Sequence, residues 1–205
     1  MFLHSNGVGT ARAVRIYKTY GVDAVQVMTE NPYRLTRDVR GIGFKTADAI
    51  AMRLGIEKTA MIRLRAGVSF ALAKAMDEGH CGLPTGELIP LAEGLLEAPA
   101  QLIETALDLE RSEGAVVADK VGDTPCTFLA GLYRAEQTVA DRLIRIGGGK
   151  LPWPSIDGAK AVSWVEERSG LKLADSQRAA IRLALVSKAL VVTGGPGVGK
   201  TTIVN

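Results

Sequence analysis

Near the end of the sequence, Gly194-Gly195-Pro196-Gly197-Val198-Gly199-Lys200-Thr201-Thr202 has the residue types and spacing to grip a polyphosphate. It satisfies G-x-x-x-x-G-K-[ST], the Walker A loop. Glycines let successive backbone N–H groups converge on phosphate oxygens. Lys200 has the reach to meet β- and γ-phosphates and stabilise charge during transfer, and the Thr201 hydroxyl is placed to ligate Mg²⁺. The loop needs a strand before it, and Ala189-Leu190-Val191-Val192-Thr193 reads as a short buried parallel strand. Upstream, Leu173-Ala174-Asp175-Ser176-Gln177-Arg178-Ala179-Ala180-Ile181 opens a helix predicted to run to about Ser187. Its Gln177 carries an acceptor and a two-hydrogen donor, the pair that matches N6 and N7 of adenine.

A second kind of phosphate chemistry opens the chain. Gly7-Val8-Gly9-Thr10-Ala11-Arg12-Ala13 recurs 34 residues later as Gly41-Ile42-Gly43-Phe44-Lys45-Thr46-Ala47, with Ile16 returning as Ile50 and Gly21 as Gly55. A fixed-offset repeat is one supersecondary unit used twice. Each copy reads as a tight Gly-x-Gly turn and a helix, 10–20 in one and 44–54 in the other, closed by a C-cap glycine. Pro32 marks a helix start before the second turn. Bare N–H groups at a helix start beside glycines form an anion site. Gly7, Gly9, Thr10 and Arg12, with Gly41, Gly43, Lys45 and Thr46, are the residues that would hold a nucleic-acid backbone without reading its sequence.

The elements between these two sites must position them. Residues 61–78 place Met61, Leu64, Val68, Ala71 and Ala75 at helical spacing; 85–97 do so with Leu88, Leu91, Ala92, Leu95 and Leu96; and 99–113 with Leu102, Ile103, Ala106 and Leu107. Short strands over 115–118 and 126–129 flank a turn at Gly122-Asp123. A helix over 131–146 is predicted to turn Leu132, Ala135, Val139, Leu143 and Ile146 inward. Three helices and a hairpin suggest a winged-helix-like unit. Its third helix carries Glu104, Asp108, Glu110 and Glu113 against Arg111 alone, which suits a structural or protein-contact role better than phosphate binding. Gly147-Gly148-Gly149-Lys150-Leu151-Pro152-Trp153-Pro154 reads as a linker.

Charge follows the same division. Residues 1–58 hold nine Lys/Arg and five Asp/Glu, 59–130 five and eleven, and 131–205 eleven and six. An anionic partner is expected at both ends and repelled from the middle. The 205 residues are 47% hydrophobic and 23% charged, an ordinary globular composition that excludes a largely disordered chain. No apolar run is long enough to span a bilayer, and the N-terminus lacks a signal-peptide pattern. Two cysteines, Cys81 and Cys126, and two histidines do not make a zinc spacing; the cysteines read as reduced core residues of a cytoplasmic protein.

The combination resembles the RecD-like superfamily 1 DNA helicases with a long N-terminal extension, the exodeoxyribonuclease V alpha-subunit homologues. The likeness rests on the two hairpins, on Asn31-Pro32-Tyr33-Arg34-Leu35, on Glu78-Gly79-His80-Cys81-Gly82-Leu83-Pro84, and on a glutamine, helix, strand and Gly-Gly-Pro-Gly loop in order. It implies a mainly α fold. A tandem helix-hairpin-helix domain over 1–58 would be followed by a winged-helix-like α/β-hairpin domain over 59–146. A linker over 147–155 would then lead to the truncated start of a RecA-like α/β P-loop domain over 156–205. It also implies a bacterial, ATP-dependent 5′–3′ helicase of DNA repair and recombination. Gln177 and residues 194–202 would bind ATP and Mg²⁺, Lys200 would be catalytic, and the substrate would be single-stranded or junction DNA. Ala174 departs from that pattern, which places a capping Thr or Ser there; Asp175 is the substitute cap expected. With no Walker B acid or second motor lobe in these 205 residues, the polypeptide alone is expected to be inactive. The alternatives are a DNA-binding adaptor with a vestigial P-loop and a recombinase-type ATPase.

Overall fold

The computed structural model describes residues 2–197 and 199–201, so Val198 and Thr202 of the phosphate loop lie outside it. The chain is mainly helical with one small sheet, and it forms two compact units, Met1–Ala135 and Glu136–Asn205.

In the first unit each Gly-x-Gly turn leads into a helix: α1 (Phe2–Ser5) and the first turn precede α2 (Thr10–Tyr20). After α3 (Ala24–Glu30), Pro32 breaks the chain ahead of α4 (Arg34–Asp38), and the second turn opens α5 (Phe44–Arg53). The repeat is a packing repeat as well. Val8 and Ile42 are both buried at the turn, and Ile16 and Ile50 both plug the core. Gly21 and Gly55 both take positive φ, where other residues are strained, to end their helices.

The same core continues into α6 (Met61–Asp77), β1 (Gly82–Pro84), α7 (Thr85–Leu96), α8 (Ala100–Ser112), β2 (Val116–Val121) and β3 (Thr124–Leu129). Leu64, Leu88, Leu96 and Ile103 are fully buried, as their periodicity predicts. The helices approach closely at Gly67, where a Cβ would strike the Leu96 methyls 2.4 Å away. Phe44 stacks between Tyr33 and Phe70, with ring centroids 5.7 and 4.7 Å apart, joining the second repeat to α6. β3 lies between β1 and β2, antiparallel to both. The periodicity did not announce β1, which is three residues long and ends in proline.

A buried polar tie runs through this core. The Arg63 side chain on α6, 6% exposed, donates through Nε and Nη2 to the two oxygens of Asp48 on α5 at 2.8 and 3.1 Å. Its Nη1 donates to the carbonyls of Lys58 and Leu96 at 2.9 and 2.8 Å, and the Tyr33 hydroxyl donates to Asp48 at 2.6 Å.

The second unit contains the later part of α9 (Ala130–Gly147), α10 (Gly158–Ser169) and α11 (Asp175–Val186). α10 is an element beyond those expected, although its signals are in the sequence: Asp157 accepts from the Ala159 and Lys160 amides at the N-cap, and Gly170 closes the helix at positive φ. Glu166 accepts from Leu173 N–H and from the Arg178 guanidinium, and in that order these hold its carboxyl below the usual carboxylate range. Trp153 Nε1 donates to the Leu185 carbonyl at 2.8 Å, and Lys188 Nζ to that of Gly148.

Three expectations fail. Of the five α9 residues expected to face inward, only Leu132 is half-buried; Ala135, Val139, Leu143 and Ile146 are exposed. An apolar stripe records that a helix is amphipathic, not that a surface has met it. Residues 189–193 form no strand, and Val191 is 84% exposed. A parallel strand exists only through neighbours, and none pairs with it among the described residues. Cys126 is buried, but Cys81, at the turn before β1, is exposed. No helix among the described residues is long and apolar enough to cross a membrane.

Candidate nucleic-acid and nucleotide sites

The two hairpins match in backbone geometry. Gly7 and Gly41, the first glycines, have φ of 77° and 86°, values that exclude most side chains. Gly9 and Gly43, the second glycines, are extended N-caps at φ −64° and −92°. Gly9 O accepts from Arg12 and Ala13 N–H, and Gly43 O accepts from Thr46 and Ala47 N–H, all at 3.0–3.1 Å. The amides of Gly9, Thr10 and Ala11, and of Gly43, Phe44 and Lys45, precede the first helical bonds and present a partial positive charge. Thr10, Arg12 and Lys45 are exposed and Thr46 is half-buried.

Ion pairing on α8 differs from a simple acidic face. Glu110 and Glu113 both turn to Arg65 of α6, with Glu110 at 2.6 Å, and Arg111 reaches Asp108 and Thr127. Glu104 and Asp108 remain at the surface.

Two tyrosines lock the second repeat. The Tyr20 hydroxyl donates to Asp38 at 2.7 Å; burial and then that carboxylate push its pKa up to about 12. Burial and Asp48 move Tyr33 in the same direction and further. An unfolded tyrosine ionises near pH ~10. Stability from these raised groups is therefore whole below that pH and falls as pH rises through the folded values. The urea midpoint should decline between about pH 10 and 12, and Tyr20→Phe with Tyr33→Phe should flatten the decline. A wild-type midpoint flat across that window would refute the assignment.

In the second unit the glycine loop holds Gly197 and Gly199 at φ 78°, and Lys200 and Thr201 begin a helical turn. Lys200 Nζ donates to the Gly194 and Gly195 carbonyls, curled into its own loop. Gly195 and Pro196 are exposed. Gln177 is half-buried, and its Oε1 accepts from Ala174 N–H at 2.9 Å. Ala174 is the N-cap of α11, so the anticipated Asp175 cap is replaced by Gln177 reaching back; Asp175 instead lies 3.6 Å from Arg178.

Paired glycine hairpins, each opening a helix on a mainly helical chain, define a helix-hairpin-helix protein. Residues 1–82 match the family model for the ATP-dependent RecD2 DNA helicase HHH domain. The chain is 33% identical to the ATP-dependent RecD2 DNA helicase of Deinococcus radiodurans, over 98% of this chain and 29% of that protein. It is 26% identical to the RecBCD enzyme subunit RecD of Buchnera aphidicola subsp. Schizaphis graminum, over 50% of this chain and 16% of that protein. The chain thus spans less than a third of these curated relatives. Its first 82 residues match the RecD2 helix-hairpin-helix family model, and nearly its whole length is similar to the front of a RecD-like helicase.

Proposed function

We propose that this chain is the DNA-gripping and ATP-binding front of a 5′–3′ DNA helicase of repair and recombination. Residues 1–58 hold DNA backbone through Gly7, Gly9, Thr10, Arg12, Gly41, Gly43, Lys45 and Thr46. Residues 59–146 are a winged-helix-like domain, a reading supported by the order α6, β1, α7, α8, β2, β3 with β3 central. Its exposed Glu104 and Asp108 suit a basic protein partner. Residues 147–155 link it to 156–205, the start of a RecA-like ATPase domain.

The observation that carries the DNA reading is at Gly9 and Gly43. Their φ values suit any residue, and a Cβ built on either meets nothing within 4 Å. The fold therefore does not demand glycine at either position. Close approach of a phosphate to the neighbouring amides does.

The residues of the glycine loop also fit ATP and Mg²⁺. Lys200 is already bent over the loop, and bound phosphates would replace its carbonyl partners. Thr201 would ligate Mg²⁺, which supplies charge neutralisation for phosphoryl transfer. Gln177 keeps its Nε2 donor and a second lone pair on Oε1 for adenine.

The test is Gly9→Ala with Gly43→Ala. Stability should stay within about 1 kcal/mol of wild type, because the poorer N-cap and the stiffer unfolded chain offset each other. Affinity for a labelled DNA duplex should drop at least about tenfold as the methyls crowd the phosphates. Wild-type affinity in a folded variant would remove the hairpins from the DNA site.

A further inference from the structure

The first glycines of the hairpins differ from the second. A Cβ on Gly41 would lie 2.5 Å from Arg15 Nη1, and one on Gly7 would fall on the Arg53 guanidinium. Arg15 belongs to α2, the helix of the first repeat, yet it packs on the second turn. Arg53 belongs to α5, the helix of the second repeat, yet it packs on the first. Arg15 Nη1 also donates to the Arg40 carbonyl at 2.8 Å, just ahead of Gly41. Both arginines are exposed.

Their charge is uncompensated. Among the described residues, the ion pairs of the first unit engage Arg34, Arg37, Lys58, Arg63, Arg65 and Arg111, and neither Arg15 nor Arg53 takes part in one. A guanidinium has five donors in a planar fork, and Arg15 spends one on the turn. The rest are available beside amides that already present positive charge.

We infer that Arg15 and Arg53 are phosphate contacts exchanged between the repeats, so that each hairpin's backbone amides and the other repeat's arginine share one DNA phosphate. The inference rests on the DNA reading above. Each anion site is then built by both helices, and the two sites are held at a fixed separation. The exchange also explains the tight first glycines: a side chain at Gly7 or Gly41 would expel the arginine.

The experiment is a salt titration of duplex binding by fluorescence anisotropy. Two double variants are compared, R15Q/R53Q, which keeps a donor for the turn and removes the charge, and R15K/R53K, which keeps the charge. Both are checked for wild-type thermal unfolding. The glutamine pair should lower the slope of log K against log salt by about 2, at ~0.9 per duplex phosphate lost, and the lysine pair should preserve it. A merely structural strut would move the melting temperature and leave the slope alone. A wild-type slope for R15Q/R53Q, while Gly9→Ala/Gly43→Ala loses affinity, overturns the exchange and spares the DNA reading. Wild-type binding by both overturns both. If the glutamine pair does not fold, the single variants R15Q and R53Q decide: each should lower the slope by about 1, and a wild-type slope in both overturns the inference.

Discussion

Arg63→Met should destabilise the first unit by about 3–5 kcal/mol, the cost of leaving one member of a buried ion pair unpaired. The loss exceeds that of one contact because four acceptor oxygens, two on Asp48 and one each on the Lys58 and Leu96 carbonyls, depend on this guanidinium. Asp48 would keep a carboxylate with only the Tyr33 hydroxyl against it, and the Lys58 and Leu96 carbonyls would lose their donor. Methionine replaces the stem but none of the donors. Chemical denaturation followed by circular dichroism measures the effect. Adding Asp48→Leu and Tyr33→Phe should recover part of the loss, since removing all partners costs less than orphaning some. A midpoint for Arg63→Met equal to wild type would show that the network contributes nothing. The same tie joins α5, which carries the second hairpin, to α6 and the end of α7, so the variant should also weaken DNA binding.

Arg12→Glu with Lys45→Glu should reduce duplex affinity roughly 100-fold at low salt, because two cation–phosphate contacts become repulsions. Both side chains are exposed in the first turn of their helices and take part in no ion pair among the described residues, so the fold should be indifferent to the change. The difference should shrink as salt rises, since screening acts on repulsion and attraction alike. Unchanged binding at low salt would remove these residues from the DNA surface. Binding lost equally at all salt concentrations would point instead to a folding defect.

Much was legible because it is encoded locally. The 34-residue offset gave both turns and both helices, and helical spacing gave α6, α7, α8 and their buried faces, because periodicity is a property of consecutive residues. The walls of both candidate phosphate sites are likewise set by short glycine motifs, whose backbone freedom needs no distant partner. The strand over 189–193 and the inward face of α9 were misread for one reason. Each needs a surface from elsewhere in the chain, and a short apolar pattern is the same with or without that surface.

The sequence by itself determined the two glycine turns, the helices they open, the uneven charge and the loop around Lys200. Only the tertiary structure decided which side chains meet across them. Arg63 and Asp48 are 15 residues apart in the sequence with no pattern to join them. Arg15 and Arg53 are not even equivalent in the repeat: Ala49 and Thr19 hold the corresponding positions. That each reaches the other hairpin's glycine follows from the folded positions of α2 and α5, whose Ile16 and Ile50 lie in one core cluster. A sequence lists the charges along one dimension; where a guanidinium finds its carbonyl, carboxylate or glycine depends on the distances that packing sets.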